Sequence, residues 1–211
     1  ELGLTSLVAA QVDSGVYSYT SQGGLGKIPG TIGRSPAVEV VLGLAGLSKP
    51  EHLRLAVDHF LEHWGELEKR RQKNGTHEGD FGIAPYYFYY AHYYAALAIE
   101  ILPEEQRAPL RLKYRERLFA SMDSDSMAFN DRVFPRSSHF GTAMALLSLM
   151  QPNMPRPAMP QKAAEGEIGN RPMDCSFLCI FSCGVRGRVE FHKTPRKFYP
   201  CVFTQTFFSF S

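Results

Sequence analysis

A loop rich in glycine and aromatic residues runs three times into an apolar segment rich in small residues, all within the first 150 residues. The apolar segments cover residues 39–47, 94–102 and 142–149. Equivalent positions fall at Glu39, Tyr94 and Thr142, so the spacings are 55 and 48 residues. A period of this length is typical of helical units that stack to share one core. The pattern therefore predicts a helical-repeat architecture, but it names no ligand and no reaction.

Apolar and amphipathic segments alternate along the same region. Residues 36–46, 85–102 and 138–150 are apolar nearly all round, as expected of helices that are buried on every side. Between them, residues 50–73 and 104–122 carry apolar side chains on one face only, at spacings of three and four. An inner ring of helices wrapped by an outer ring produces this order. We therefore expect an all-α fold in which the 85–102 helix is the most buried.

Bulk composition excludes some classes of function. The 211 residues are 44% apolar with a formal net charge of +2, as is ordinary for a globular protein with a core. Residues 1–150 have a net charge of −2 and residues 151–211 of +4, too weakly basic to indicate a nucleic-acid partner. No run of about 18 apolar residues occurs, so we expect no membrane span. Because the chain begins with Glu1, we interpret it as a fragment or a processed product, and we assign no localisation.

Composition also divides the chain into three parts. Residues 1–151 hold the repeats and residues 152–170 form a proline-rich linker. Residues 171–211 contain all four cysteines and eight of the 15 phenylalanines, without a sustained helical or strand period. This tail either belongs to the fold, with a short hairpin near residues 185–191, or is foreign to it, like a translated frameshift. In either case we expect a poorly packed, irregular tail after a repeat domain.

The paired helices and their glycine-aromatic loops resemble the terpenoid cyclase and protein prenyltransferase superfamily. They also resemble bacterial proteins that carry prenyltransferase/squalene-oxidase repeats. The likeness is greatest at residues 23–30, Gly-Gly-Leu-Gly-Lys-Ile-Pro-Gly, which are similar to a loop that precedes inner helices in prenyltransferase β subunits. The resemblance covers residues 12–150. It implies a partial α/α toroid with about three helical-hairpin repeats.

The catalytic signatures of the resembled enzymes are missing from the repeats. Class II terpene cyclases protonate an alkene with Asp-x-Asp-Asp, whereas residues 123–126 here read Asp-Ser-Asp-Ser and are interpreted as a solvated turn. Prenyltransferases bind zinc through a cysteine, and the repeats contain none. His59 and His63 have the i, i+4 spacing of a metal pair, but no third ligand is evident. We therefore predict no metal and no cofactor.

A toroid would concentrate function at the mouth of its central cavity, where the inner helices begin. The candidate catalytic residues there are His92, Asp131 and His139. The candidate ligand-binding residues are Arg34, Tyr86, Tyr90 and Tyr93. Other polar or aromatic residues at the mouth are His77, Asp80, Tyr87, Asn130, Arg132 and Ser138.

Each candidate has a purely structural alternative. A histidine suits proton transfer, so His92 is expected to face the cavity within hydrogen-bond reach of Asp131 or His139. It could equally be a buried histidine bonded to a neighbouring hydroxyl or carbonyl. Asp131 could be a cavity acid or form a salt bridge with Arg132 in a turn. The tyrosines could stack on a ligand or pack in the core, and Arg34 could bind an anion or cap backbone carbonyls.

Three functions remain open. The one we favour is a repeat module that binds a hydrophobic or sugar-like ligand, or a protein partner, in an aromatic-lined cavity. The second is an isoprenoid cyclase or prenyltransferase-type enzyme whose catalytic motif lies in further repeats. The third is a carbohydrate-active α/α-toroid enzyme. Fold alone does not choose among them.

Limited proteolysis tests the predicted organisation. We expect early cleavage between residues 152 and 170, which leaves a stable N-terminal piece, because the composition changes abruptly after Pro160. Mass spectrometry of the first fragments gives the cleavage sites. Equal resistance along the whole chain would contradict the prediction.

Overall fold

The computed structural model describes residues 2–12, 15–19 and 26–155. Most of the predicted linker, the whole predicted tail and part of the glycine-rich loop lie outside these residues. Within them, regular structure consists of seven α-helices and two short 3-10 helices, and no strand longer than an isolated bridge occurs. The predicted all-α fold is therefore confirmed, whereas the toroid stays a prediction.

The connections between helices are short at residues 45–49 and 102–103 and longer at residues 71–86 and 121–134. They are α1 (Leu2–Ala9), α2 (Ser35–Leu44), α3 (Pro50–Glu62), α4 (Trp64–Arg70), α5 (Tyr87–Ile101), α6 (Glu104–Ala120) and α7 (Ser138–Met150). The 3-10 helices are Pro135–Ser137 and Gln151–Asn153. Proline opens α3, where its missing N–H costs no hydrogen bond, and Gly46 follows α2 with a φ of 70°. None of the described helices has the length and apolar character needed to cross a bilayer.

The outer segment predicted as one helix over residues 50–73 is two helices. His63 lies between α3 and α4 with φ −97° and ψ 11°, outside the helical region. The apolar face nevertheless continues across the break, because Phe60 and Leu61 before it and Trp64 and Leu67 after it are all buried. The break therefore changes the direction of the chain without interrupting the core.

Helix α5 lies at the centre of the packing. Helices α2 and α7 pack directly against it, and α3, α4 and α6 contact it as well. Nine of its residues are buried, more than in any other described helix. The order of buried and amphipathic helices predicted from the sequence is therefore present for α2, α3, α5 and α6.

Helix α7 departs from the predicted pattern. Its sequence is apolar all round, yet only Gly141, Ala145 and Ser148 are buried. Phe140 and Met150 are about half exposed. No described residue covers the side of α7 that carries Phe140 and Met150. Helix α7 is therefore buried only where it meets α5 and its neighbours.

Small residues set the close approach of the helices to α5. Ala91, Ala95 and Ala98 on α5 are fully buried. On α7, a Cβ added at Gly141 would lie 3.0 Å from the Tyr89 ring on α5 and 2.3 Å from the carbonyl oxygen of Phe129 in the loop before α7. Such approaches explain why the inner segments are rich in alanine and glycine, since larger side chains would push the helices apart.

Two buried carboxylates hold neighbouring elements together. Glu39 on α2 is fully buried and accepts hydrogen bonds from the hydroxyls of Tyr17 and Ser48, which lie in the loops before and after α2. Glu100 on α5 accepts two hydrogen bonds from the guanidinium of Arg111 on α6, one of them from Nε at 2.7 Å. A buried carboxylate without such donors would be strongly unfavourable, so these contacts fix how the elements dock.

Gly141→Ala tests the close approach at α7. The added Cβ would meet backbone at 2.3 Å, so we expect a loss of about 1 to 3 kcal/mol in the free energy of unfolding. Gly65→Ala is the matched control, because Gly65 is helical and has nothing within 4 Å of its added Cβ. It should be neutral or stabilising by up to about 1 kcal/mol. Urea unfolding of both variants measures the difference, and equal effects would contradict this packing.

Candidate functional site

Five side chains from separate loops and helix starts meet at one end of α2 and α5. These residues are Tyr19, Arg34, His77, Tyr86 and Tyr87, and we call them the loop-end cluster. The His77 ring lies 6.1 Å from that of Tyr19, 5.8 Å from that of Tyr86 and 5.7 Å from that of Tyr87. The Arg34 guanidinium lies 5.4 Å from the centre of the Tyr19 ring, within cation–π range. The cluster thus combines aromatic faces, a cation and an imidazole.

His77 has a defined hydrogen-bond arrangement within the cluster. One ring nitrogen, Nδ1, lies 3.1 Å from the carbonyl oxygen of Gly82. The other, Nε2, lies 2.7 Å from the hydroxyl oxygen of Tyr86. A carbonyl oxygen only accepts, so Nδ1 carries the proton and donates to it. In the neutral ring Nε2 therefore accepts the hydrogen bond that Tyr86 donates.

The loop that holds His77 adopts an uncommon backbone conformation. His77 has a φ of 51°, and Gly79 and Gly82 also have positive φ. For a residue with a Cβ this left-handed conformation costs about 1 to 2 kcal/mol. The tight turn brings the Gly82 carbonyl within reach of the imidazole of His77 and thereby orients the ring.

Arg34 and Tyr87 are both half-buried in the cluster. Burial lowers the pKa of Arg34, and the nearby hydroxyls of Tyr87 and Tyr19 act in the opposite direction. Arg34 also donates to the carbonyl oxygen of Gly30 at 3.1 Å. Burial raises the pKa of Tyr87, and its hydrogen bond with Tyr86 raises it further. Arg34 therefore supplies the fixed positive charge, and Tyr87 keeps its proton.

Partly exposed side chains continue from the cluster along one side of α5. They are Tyr86, Tyr87, Tyr90, Tyr93, Tyr94, Leu97 and Ile101, and we call them the α5 stripe. The rings of Tyr90 and Tyr94 lie 4.8 Å apart and those of Tyr93 and Tyr94 lie 5.2 Å apart. Burial raises the pKa of Tyr90 to about 12. The stripe changes from tyrosine at its N-terminal end to aliphatic residues at its C-terminal end.

The expectation that His92 faces a cavity is wrong, and the alternative of a buried histidine bonded to a neighbouring carbonyl is confirmed. The ring is fully buried on the side of α5 that meets the outer helices, and it does not face a cavity. Its Nε2 accepts a hydrogen bond from Trp64 Nε1 at 2.9 Å, and its Nδ1 donates to the Phe88 carbonyl oxygen at 2.7 Å. Its ring packs at 5.0 Å from that of Phe60 and at 5.9 Å from that of Tyr114. Both nitrogens are satisfied by core partners, and neither Asp131 nor His139 is among them.

Asp131 is buried but does not form the turn salt bridge considered from the sequence. Asp131 is 1% exposed, and neither of its carboxylate oxygens has a hydrogen-bond partner. The backbone carbonyl of Asp131 instead accepts from the amide of Gln72 at 3.0 Å. Burial raises the pKa of the carboxyl to about 6, and the charges of Arg132 and Arg71 partly oppose this.

A groove of about 560 Å³ lies beside the loop that contains Asp131. Its lining is Gln72, Asp123, Ser126, Ala128, Asn130, Arg132, Val133, Pro135 and Ser138. Asp123 accepts hydrogen bonds from the amide and the hydroxyl of Ser126 at 2.8 and 2.7 Å, which closes an exposed turn after α6. Residues 123–126 therefore form the solvated turn predicted from the sequence. His139, in the first turn of α7, is exposed.

The structure brings the predicted ligand-binding residues together and not the predicted catalytic ones. Arg34 and Tyr86 belong to the loop-end cluster, and Tyr90 and Tyr93 belong to the α5 stripe. No hydrogen bond joins His92, Asp131 and His139 within the part of the chain that the structure describes. The same part holds no group of three or more His, Cys, Asp or Glu side chains placed to bind a metal.

Comparison with known proteins gives no match, whether with family models, with curated proteins or with solved structures.

Two of the buried ionisable groups, Asp131 and His92, oppose each other in their effect on stability. Because the pKa of Asp131 is raised from 3.8 to about 6, the native state loses stability as the pH rises through that interval. Because burial lowers the pKa of His92 from 6.5 to about 4, the native state loses stability as the pH falls through that interval. Each effect amounts to about 3 kcal/mol when complete. In the unaltered protein the two slopes largely cancel.

Single variants should separate these two slopes. In Asp131→Asn, the free energy of unfolding should fall by about 3 kcal/mol between near-neutral pH and about pH 4. The reason is that His92 takes up a proton in the unfolded chain over this interval. His92→Gln keeps an acceptor for Trp64 and should show the opposite slope. Asp125→Asn, at an exposed carboxylate, is the control and should resemble the unaltered protein. Urea unfolding across this pH range measures all three, and identical profiles would contradict the assignment.

Proposed function

We propose that the chain is a helical-repeat module that binds an elongated amphiphilic ligand along the α5 stripe, with the ligand's polar head at the loop-end cluster. The observation that carries this proposal is the change along the stripe from polar and charged side chains to aliphatic ones. A cation, an imidazole and hydroxyls converge at its N-terminal end, whereas Leu97 and Ile101 lie at its C-terminal end. An apolar surface with a few convergent polar groups is the usual composition of a ligand site.

The dimensions support an extended ligand. The fifteen residues of α5, Tyr87–Ile101, rise roughly 22 Å along the helix axis. Partly exposed tyrosines present flat apolar faces and a hydroxyl at the edge, so they can cover either a hydrocarbon chain or a sugar ring.

The head group is best matched by an anion. Arg34 keeps a positive charge beside two phenols, and a guanidinium binds phosphate or carboxylate oxygens through paired N–H groups. The aliphatic end of the stripe favours a hydrocarbon tail over a second sugar. Together these features support an isoprenoid-like ligand with a charged head, in agreement with the family that the repeats resemble.

The other functions inferred from the sequence would use the α5 stripe in different ways. An isoprenoid cyclase or prenyltransferase-type enzyme would use this stripe for binding and would need an acidic or metal-binding motif elsewhere. A carbohydrate-active enzyme would place sugars against the tyrosines and would not use Leu97 or Ile101. A protein partner would cover the stripe with its own apolar side chains.

Binding assays with defined probes test the proposal. Farnesyl diphosphate should bind more tightly than farnesol, because Arg34 contacts the head, and more tightly than inorganic pyrophosphate, because the stripe contacts the tail. Tyr90→Ala should weaken binding about tenfold, which corresponds to about 1.4 kcal/mol. Leu112→Ala is the control, since Leu112 is 62% exposed on the outer helix α6. Isothermal titration calorimetry measures each affinity.

Two outcomes would contradict the proposal. One is binding of maltohexaose but not of farnesyl diphosphate, which would support the carbohydrate alternative. The other is equal loss of affinity in Tyr90→Ala and Leu112→Ala, which would show that the probe does not use the α5 stripe.

A further inference from the structure

The hydrogen bonds around His77 all point the same way, because Tyr86 donates to the imidazole and the imidazole donates to the Gly82 carbonyl oxygen. The Gly82 carbonyl oxygen accepts from Nδ1, so the proton of the neutral imidazole is fixed on that nitrogen. The unprotonated Nε2 then lies 2.7 Å from the Tyr86 hydroxyl oxygen and accepts its hydrogen bond. A base oriented by a third group and aimed at a hydroxyl has the arrangement by which proteins activate hydroxyl nucleophiles.

We propose that Tyr86 and His77 form a proton-transfer pair, in which His77 Nε2 takes the phenolic proton while Tyr86 acts as base on a ligand held at the loop-end cluster. The proposal rests on the proposed function only for the position of that ligand. The ligand chemistry that suits the pair is a group with an acidic O–H, or a C–H beside a carbonyl, next to a negative charge that Arg34 can hold.

The ligand and the pair together account for every proton and electron of this step. As the ligand's O–H or C–H bond breaks, its proton forms a bond to the Tyr86 oxygen and its electron pair stays on the ligand. The original phenolic proton moves from Tyr86 to Nε2, which gives an imidazolium. The developing negative charge on the ligand then lies beside two positive charges, those of the imidazolium and of Arg34. The neutral pair is restored when Tyr86 gives its new proton to an atom of the ligand anion and takes the proton of Nε2 in exchange.

Three neighbouring tyrosines lack this arrangement and serve as internal comparisons. Tyr87 lies in the same cluster, and its hydrogen bond is with Tyr86 rather than with a base. Tyr19 contacts His77 edge to face, at a centroid distance of 6.1 Å. Tyr90 packs against Tyr94 farther along α5, with the two rings tilted at 55° to each other. Only Tyr86, among these four, donates to an imidazole nitrogen.

The backbone at His77 dictates the best variant for a test. A φ of 51° is tolerated by asparagine far better than by most residues with a side chain. His77→Asn therefore keeps the left-handed turn and still offers an N–H group to the Gly82 carbonyl, but it provides no imidazole base for Tyr86. Tyr86→Phe removes the hydroxyl and leaves the ring in place.

Labelling with benzenesulfonyl fluoride tests the pair without a known ligand. In this reaction the Tyr86 oxygen forms a bond to sulfur, the sulfur–fluorine bond breaks, fluoride leaves and the phenolic proton passes to His77. We expect modification at Tyr86, located by peptide mass spectrometry, ahead of Tyr19, Tyr87 and Tyr90. His77→Asn should slow it about a hundredfold, within the range that general base assistance supplies. Tyr86→Phe should abolish it, with both variants retaining the far-ultraviolet circular dichroism of the unaltered chain.

Two results would overturn the proposal. The first is labelling of Tyr86 at the same rate in the unaltered chain and in His77→Asn. The second, which requires no variant, is an imidazole ¹⁵N spectrum that places the proton of neutral His77 on Nε2. Because neither measurement uses farnesyl diphosphate, failure of that probe to bind would refute the proposed function and leave this assignment standing.

Discussion

The close packing of α5 against the helices around it is the constraint on which the rest of the structure depends. Ala91, Ala95 and Ala98 are fully buried, which lets α2, α3, α6 and α7 all pack closely against α5. Larger side chains at these positions would separate the helices and open cavities, at a cost of several kcal/mol in a domain of this size. The fold is therefore organised around one helix, and the candidate site is an outward side of that same helix.

The sequence allowed much of this architecture to be predicted, because an apolar pattern on every side of a helix has few solutions. It predicted α2 and α5 as inner helices and residues 50–73 as an outer segment. It did not predict the break at His63, since the apolar spacing continues unchanged across it. The same pattern in α7 predicted full burial, which the described residues do not provide for Phe140 or Met150.

The candidate site could be predicted only in part. Arg34, Tyr86, Tyr90 and Tyr93 were chosen because aromatic and charged residues at the starts of inner helices point to a ligand, and the structure does place them on one surface. His92 was misassigned because its role depends on Trp64, a tertiary contact that spacing does not reveal. The role of His77 was missed, although Gly75, Gly79 and Gly82 around it are a local signal of a tight turn.

The buried polar residues of α5 also determine which side of the helix is left for a ligand. Tyr90 and His92 are two residues apart, about 200° round the helix axis, and so lie on opposite sides. Hydrogen bonding of His92 to Trp64 and of Tyr89 to Ser121 fixes the rotation of α5 about its own axis. If α5 rotated, Trp64 would keep a buried N–H group without an acceptor, which costs about 1 to 3 kcal/mol. His92 thus contributes to the candidate site by orienting the tyrosines on the far side of the helix, while its own ring stays in the core.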